Sequence, residues 1–125
     1  MPHKSTVLIC DDSMLIRKKL KGVLDTVERL EVIEANNGEE AVAICRDTPP
    51  ALVFMDIVMP EMNGLDALQN IKALRPETVV VMASSAGTEN NLRKALALGA
   101  DDFIQKPIAG NEVLRMIDKY VKPEA

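Results

Sequence analysis

The apolar residues of this chain fall into two kinds of run that alternate from one end to the other. Short runs with little polar interruption occur at Thr6–Cys10, Glu31–Ala35, Leu52–Asp56, Val79–Ala83 and Asp102–Ile104. Apolar residues without strict period-two alternation suit parallel strands covered on both faces. Between them, apolar positions recur every three or four residues, as on one side of a helix. Ile16, Leu20, Val23 or Leu24, and Val27 make such a stripe over about Ser13–Thr26, with Arg17, Lys18, Lys19 and Lys21 across much of the other side. Ala41, Val42, Ile44 and Cys45 mark a second helix, which Pro49-Pro50 terminates. A third, Leu65–Leu74, carries Leu65, Leu68, Ile71 and Ala73-Leu74 and closes at Pro76. The fourth, Glu89–Leu98, follows Thr88 as its expected cap and ends at Gly99, and the fifth, Asn111–Tyr120, turns Val113, Leu114, Ile117 and Val121 inward. Strands alternating with helices in this way predict an α/β fold with a doubly wound parallel sheet.

Right-handed crossovers carry the carboxyl ends of all such strands to one edge of the sheet, where ligands of open α/β folds bind. The residues delivered there are chemically selective. Asp11-Asp12 follow the first strand, Asp56 ends the third, Ser84 follows the fourth and Lys106 the fifth. The stretch Leu52–Gly64 is the centre of this pattern: an apolar strand hands over one acid, then breaks at Met59-Pro60 and Asn63-Gly64. An isolated Asp56 would read as a turn residue, Lys106 as a solvated surface lysine and Ser84 as a turn serine; their convergence changes that reading. Three carboxylates held together repel one another and raise their own pKa values, which favours a hard divalent cation between them. Mg²⁺ is the natural candidate, because it takes oxygen ligands and keeps positions open for phosphate oxygens. Three carboxylates, one Mg²⁺ and one lysine sum to zero charge, so the filled pocket would be neutral.

Composition narrows the remaining choices. A length of 125 residues predicts a single domain spanning 1–125, able to bury a core without disulfides. Hydrophobic content of 47% and charged content of 27% are those of a soluble globular protein, and no apolar run approaches a membrane span. No signal peptide precedes the first strand, so a cytoplasmic location is expected. Cys10 and Cys45 lie in apolar runs without metal-ligand spacing and read as buried reduced thiols, while His3 sits near the terminus and is not expected to be catalytic. A net charge of -4 with dispersed basic residues argues against nucleic-acid binding.

Four segments, CDDS after the first strand, MDIVMPEMNG at the third, VMASSAG at the fourth and GADDFIQKP around the fifth, together resemble the receiver domain of two-component response regulators. The resemblance covers essentially the whole chain. It implies a flavodoxin-like five-stranded sheet of order 2-1-3-4-5, an arrangement for which a member of this family is the standard illustration. It further implies that Asp56 accepts a phosphoryl group from the phosphohistidine of a sensor histidine kinase or phosphotransfer protein. The protein would be a phosphoacceptor switch that catalyses only its own phosphorylation and dephosphorylation, not an enzyme acting on other substrates.

In the terms of that family, Asp12 and Asp56 ligate Mg²⁺ directly, Asp11 does so directly or through water, and the Val58 backbone carbonyl completes the protein shell. Lys106 and the Ser84 hydroxyl take phosphoryl oxygens. Val58 and Ala86, with Ser85, border the phosphoryl group, and neither Val58 nor Ala86 can orient water. A cis Lys106-Pro107 bond would aim the ammonium inward. Phe103 is the switch aromatic, coupled to Ser84 across the face formed by the fourth helix, fifth strand and fifth helix, where a downstream target or effector domain binds. Serine at 84 and phenylalanine at 103 depart from the commoner threonine and tyrosine, which implies looser coupling. The kinase is expected over the first helix and Pro107-Ile108, near Met14, Leu15 and Arg17, and the chain as a monomer or a phosphorylation-linked dimer. The leading output is that of a stand-alone chemotaxis-type receiver; the alternative is a domain cut from a larger regulator with a DNA-binding or enzymatic effector. A constitutively docked receiver is disfavoured by the full set of site residues. A Mg²⁺-dependent aspartyl phosphatase of the haloacid dehalogenase type would carry its nucleophile after the first strand, and a flavodoxin would need a Ser/Thr/Gly-rich phosphate loop where Asp11-Asp12 stand.

Overall fold

The computed structural model describes residues 4–59, 62–85 and 88–123. Five strands alternate with five helices: β1 Ser5–Cys10, α1 Met14–Leu24, β2 Leu30–Ala35, α2 Gly38–Asp47, β3 Leu52–Asp56, α3 Gly64–Leu74, β4 Val79–Ser84, α4 Glu89–Ala97, β5 Asp102–Gln105 and α5 Gly110–Tyr120. All pairings are parallel and the sheet order is β2-β1-β3-β4-β5, as expected. The third strand is buried at every position, which is why its sequence lacks alternation.

Each face of the sheet has its own core. Val7, Ile9, Phe54, Val81 and Ile104 pack with Leu20 and Leu24 of α1 and Val113, Met116 and Ile117 of α5. On the opposite face Leu8, Cys10, Val53, Met55 and Met82 pack with Ala41 and Cys45 of α2, Ala67, Leu68 and Ile71 of α3, and Ala95 of α4. Both cysteines are free and buried, and burial pushes the Cys10 thiol up to about 12 and the Cys45 thiol to about 11. Among the described residues no helix is long and apolar enough to cross a membrane.

Several helix boundaries have identifiable causes. Ser13, Asn37 and Asn63 cap α1, α2 and α3 by accepting from the backbone N–H groups of Ile16, Glu40 and Asp66 at 3.3, 2.8 and 3.0 Å. Gly99, at φ 108, ends α4; the N–H of Ala100 reaches the Ala95 carbonyl and that of Gly99 the Leu96 carbonyl. Three expectations change in detail. Ala73 and Leu74 are exposed in the last turn of α3, beyond its last buried residue, Ile71. Met116 takes the inward place assigned to Leu114, which is only half-buried. Thr88 stands at the start of α4 but makes no side-chain cap; its hydroxyl donates to the Ser85 carbonyl at 2.7 Å and accepts from the Ser85 N–H at 2.9 Å.

Candidate functional site

At the carboxyl edge of the sheet, β1 and β3 are neighbours and their connections depart to opposite faces, so the crevice of the doubly wound fold opens between Asp11 and Asp56. Asp11, Asp12 and Asp56 each present a carboxylate oxygen, and these oxygens all lie within 4.8 Å of one another. Asp11 and Asp56 are buried and Asp12 is exposed. Opposite ligands of an octahedral Mg²⁺ stand about 4.2 Å apart, so small side-chain adjustments suffice for this donor set to meet that ion. The oxygen-only chemistry of the three groups fits a hard cation.

Three further bonds organise the acids. The Lys106 ammonium donates to Asp11 Oδ2 at 3.0 Å and to Asp56 Oδ1 at 3.2 Å, bridging the ends of β1, β3 and β5. The backbone N–H of Ser13 donates to Asp11 Oδ1 at 2.9 Å, so the residue that caps α1 also fixes the acid two places before it. Burial, then the charge of Asp11, raise the pKa of Asp56 to about 6 against the lowering influence of Lys106, with Asp12 adding to the rise. For Lys106 burial works against the ammonium, but the hydrogen bond to Asp11 and the charges of Asp56 and Asp11 overcome it and raise its pKa. Each ion of the bridge therefore depends on the others.

The loop after β3 approaches the strand closely. The Gly64 N–H donates to the Ile57 carbonyl at 2.8 Å, and a Cβ at position 64 would lie 2.1 Å from the backbone oxygen of Asp56. Only glycine fits there, which explains the Asn63-Gly64 pair after the acid. Val58 is 56% exposed on this loop, two residues past Asp56. Ser84 is buried at the end of β4, one residue beyond Ala83, the partner of Asp56 in the sheet register. Ser85 is tied back by Thr88, whereas Ala86 lies outside the described residues, as do His3 and Pro60. The Lys106-Pro107 peptide is cis.

Phe103 is 38% exposed on the edge strand β5 and is not an ordinary core side chain. The start of that strand is clamped from two sides, which the sequence did not reveal. Asp101 Oδ2 accepts from Lys72 Nζ and the Val80 N–H, both at 2.9 Å, while Asp102 Oδ2 accepts from Tyr120 Oη at 2.8 Å and Lys119 Nζ at 2.9 Å. Burial would raise the Asp102 pKa, but the bonds from Lys119, the Phe103 N–H and Tyr120 hold it below the usual carboxylate value. Met14 and Leu15 are exposed at the start of α1. Arg17 departs from the solvated basic face: its guanidinium donates to the Asp11 backbone carbonyl at 2.7 Å and to Glu34 at 3.1 Å. Its position three residues before Leu20 and seven before Leu24, on the margin of the apolar stripe, was the available signal.

Fold and site together define a flavodoxin-like α/β domain with an acidic, lysine-bridged pocket at its topological switch point. The family model for the response regulator receiver domain matches residues 7–118, and the chain belongs to that family. A chemotaxis protein CheY from Listeria monocytogenes is 40% identical over 116 residues, or 93% of this chain and 98% of that protein. A protein-glutamate methylesterase/protein-glutamine glutaminase from Rhodospirillum rubrum is 48% identical over 103 residues, covering 81% of this chain but 28% of that protein. The crystal structure of the receiver domain of NtrX from Brucella abortus matches with a TM-score of 0.86 at 33% identity, covering 92% of this chain and 97% of that one.

Proposed function

We propose that this receiver accepts a phosphoryl group on Asp56 from the phosphohistidine of a sensor histidine kinase or phosphotransfer protein, in the cytoplasm. The observation that carries the proposal is the bridge of Lys106 across Asp11 and Asp56, with Asp12 alongside. In the transfer, an Asp56 carboxylate oxygen forms a bond to phosphorus as the phosphorus–nitrogen bond of the donor breaks, and that electron pair stays on the imidazole. With a pKa of about 6, Asp56 is mostly ionised at neutral pH and available as the nucleophile. Asp11, Asp12, Asp56 and the Val58 carbonyl would hold Mg²⁺, whose charge offsets that of the phosphoryl oxygens. Lys106 then contributes a point charge to one phosphoryl oxygen and the Ser84 hydroxyl donates to another, which is the positioning and charge compensation that a loose transition state rewards. The nucleophile on β3, with no acid-x-acid pair after β1, disfavours the phosphatase reading, and the domain acts on itself alone.

The modified state is read through Phe103 and the face of α4, β5 and α5, by a target protein or an effector domain. A stand-alone chemotaxis-type receiver is the output favoured by the near-complete overlap with the Listeria chemotaxis protein. The 48% identity to part of a methylesterase favours a second reading, in which such a domain regulates an attached enzyme.

Incubation with acetyl phosphate, with and without Mg²⁺, followed by intact mass measurement, tests the central claim. The expected result is a Mg²⁺-dependent gain of one phosphoryl group that Asp56→Asn abolishes. Modification that persists in Asp56→Asn would refute it.

A further inference from the structure

We propose that Arg17, braced by Glu34, is a positioning residue for cation binding, and that the Glu34–Arg17–Asp11 relay holds the two-acid loop in the geometry the metal requires. The inference rests on the reading of the site as a Mg²⁺ centre and assigns a role to residues that make no part of its donor set.

Arg17 lies in the first turn of α1, yet its side chain is only 15% exposed. One arm of the guanidinium donates to the backbone carbonyl of Asp11 at 2.7 Å, and Nε donates to Glu34 on the edge strand β2 at 3.1 Å. The planar fork sets both directions at once, which a lysine ammonium on a flexible stem does not. Because the peptide unit is planar, fixing the Asp11 carbonyl fixes the plane that joins Asp11 to Asp12 and hence where the Asp12 side chain starts. The two acids differ in their need for this. The Asp11 carboxylate is already held by the Ser13 N–H and Lys106, whereas exposed Asp12 takes its place from the backbone that leads to it. A peptide plane left free to rotate would move Asp12 away from the other two donors.

The sign of the effect separates positioning from charge. Arg17 is a cation close to a cation site, so if charge were its only influence, removing it would tighten Mg²⁺ binding. Positioning requires the reverse, since groups that orient metal ligands from behind are commonly worth 10- to 100-fold in affinity.

Mg²⁺ affinity measured by calorimetry, well below each protein's unfolding temperature, decides the matter. Arg17→Met is expected to bind Mg²⁺ about tenfold more weakly than the wild type, and Arg17→Lys, which keeps the charge and loses the fork, at least threefold more weakly. Glu34→Gln is expected to weaken binding in the same direction, and the Arg17→Met/Glu34→Gln pair no further than Arg17→Met alone, because both act through one relay. Unchanged or tighter binding by Arg17→Met would overturn the inference, even with a lowered unfolding temperature, since that is the outcome of a purely structural or purely electrostatic role. Equal loss of affinity on each substitution, adding in the double variant, would also overturn it. Failure of the wild-type chain to bind Mg²⁺ would refute the metal-site reading itself, a result distinct from binding that ignores Arg17.

Discussion

Neutralising the central acid should stabilise the metal-free protein, even though it destroys the proposed function. In Asp56→Asn the side chain keeps its shape and still offers an oxygen to Lys106, but no longer brings a buried charge beside Asp11. The folded-state pKa of Asp56 is raised from 3.8 to about 6, a displacement equivalent to about 3 kcal/mol. Solvent at the Asp12 side of the pocket screens part of this, so about 1–2 kcal/mol is the working expectation. The folded pKa lies above the unfolded one, so the protonated acid binds its proton more tightly in the native state. Stability from this source is fully present below about pH 3.8 and is lost as pH rises through about 6. The advantage of Asp56→Asn should accordingly be complete above about pH 7, roughly halved near pH 5 and absent near pH 3.8. In a domain of this size it corresponds to about 3–8 °C in unfolding temperature. Thermal unfolding followed by circular dichroism in EDTA, at several pH values, measures it directly. Mg²⁺ should reverse the order at neutral pH by binding the wild type preferentially. A variant less stable than the wild type at pH 8 in EDTA, or an advantage unchanged down to pH 4, would refute the claim that the acid is held at a cost.

Three other changes probe the same pocket. Lys106→Met should bind Mg²⁺ about tenfold more tightly, through loss of a nearby like charge, while taking up phosphoryl from acetyl phosphate more slowly; a parallel change in both would contradict the separate tasks given to metal and lysine. Gly64→Ala places a Cβ against the Asp56 carbonyl and should cost about 2–3 kcal/mol in urea denaturation, together with weaker Mg²⁺ binding, because backbone must move to admit it. Val58→Asn introduces an exposed amide beside Asp56 and should hasten loss of the phosphoryl group; an unchanged decay rate would show that Val58 does not limit access of water.

The strands were legible because the feature that defines each one is local, whereas their order came from the resemblance of the four site segments to the receiver family. Unbroken apolar runs announce strands buried on both faces, and β3 is buried from end to end. The candidate site residues were legible for the same reason: each stands at or just past the end of a strand, so a statement about the sheet edge is also a statement about Asp11, Asp12, Asp56, Ser84 and Lys106. Thr88 shows where local preference misleads. It has the chemistry of a helix cap, but the Ser85 backbone competes for its hydroxyl within hydrogen-bond reach, and the cap is not made. The clamps on β5 were illegible because Lys72 and Asp101, or Asp102 and Tyr120, are distant in sequence and each has an ordinary surface composition.

Arg17 makes the same point within one helix. Four basic residues occupy α1 between positions 17 and 21, and by composition they are interchangeable. Lys18 and Lys19 are solvated, and Lys21 pairs with Asp25 one turn away at 2.8 Å, an exposed contact worth little. Arg17 alone stands beside both a strand end and the loop that leaves it, where a donor fork can satisfy a carbonyl and a carboxylate together. Its significance follows from the register of β1 against β2, which aligns Ile9 with Glu34 and Cys10 with Ala35 and so brings the edge-strand acid level with the turn carrying Asp11. A one-residue slip of β2 would turn Glu34 to the other face of the sheet and leave the guanidinium without its brace. The geometry of the acidic loop thus depends on a strand that contributes nothing to the pocket, and substitutions on β2 belong among the first places to look for altered cation affinity.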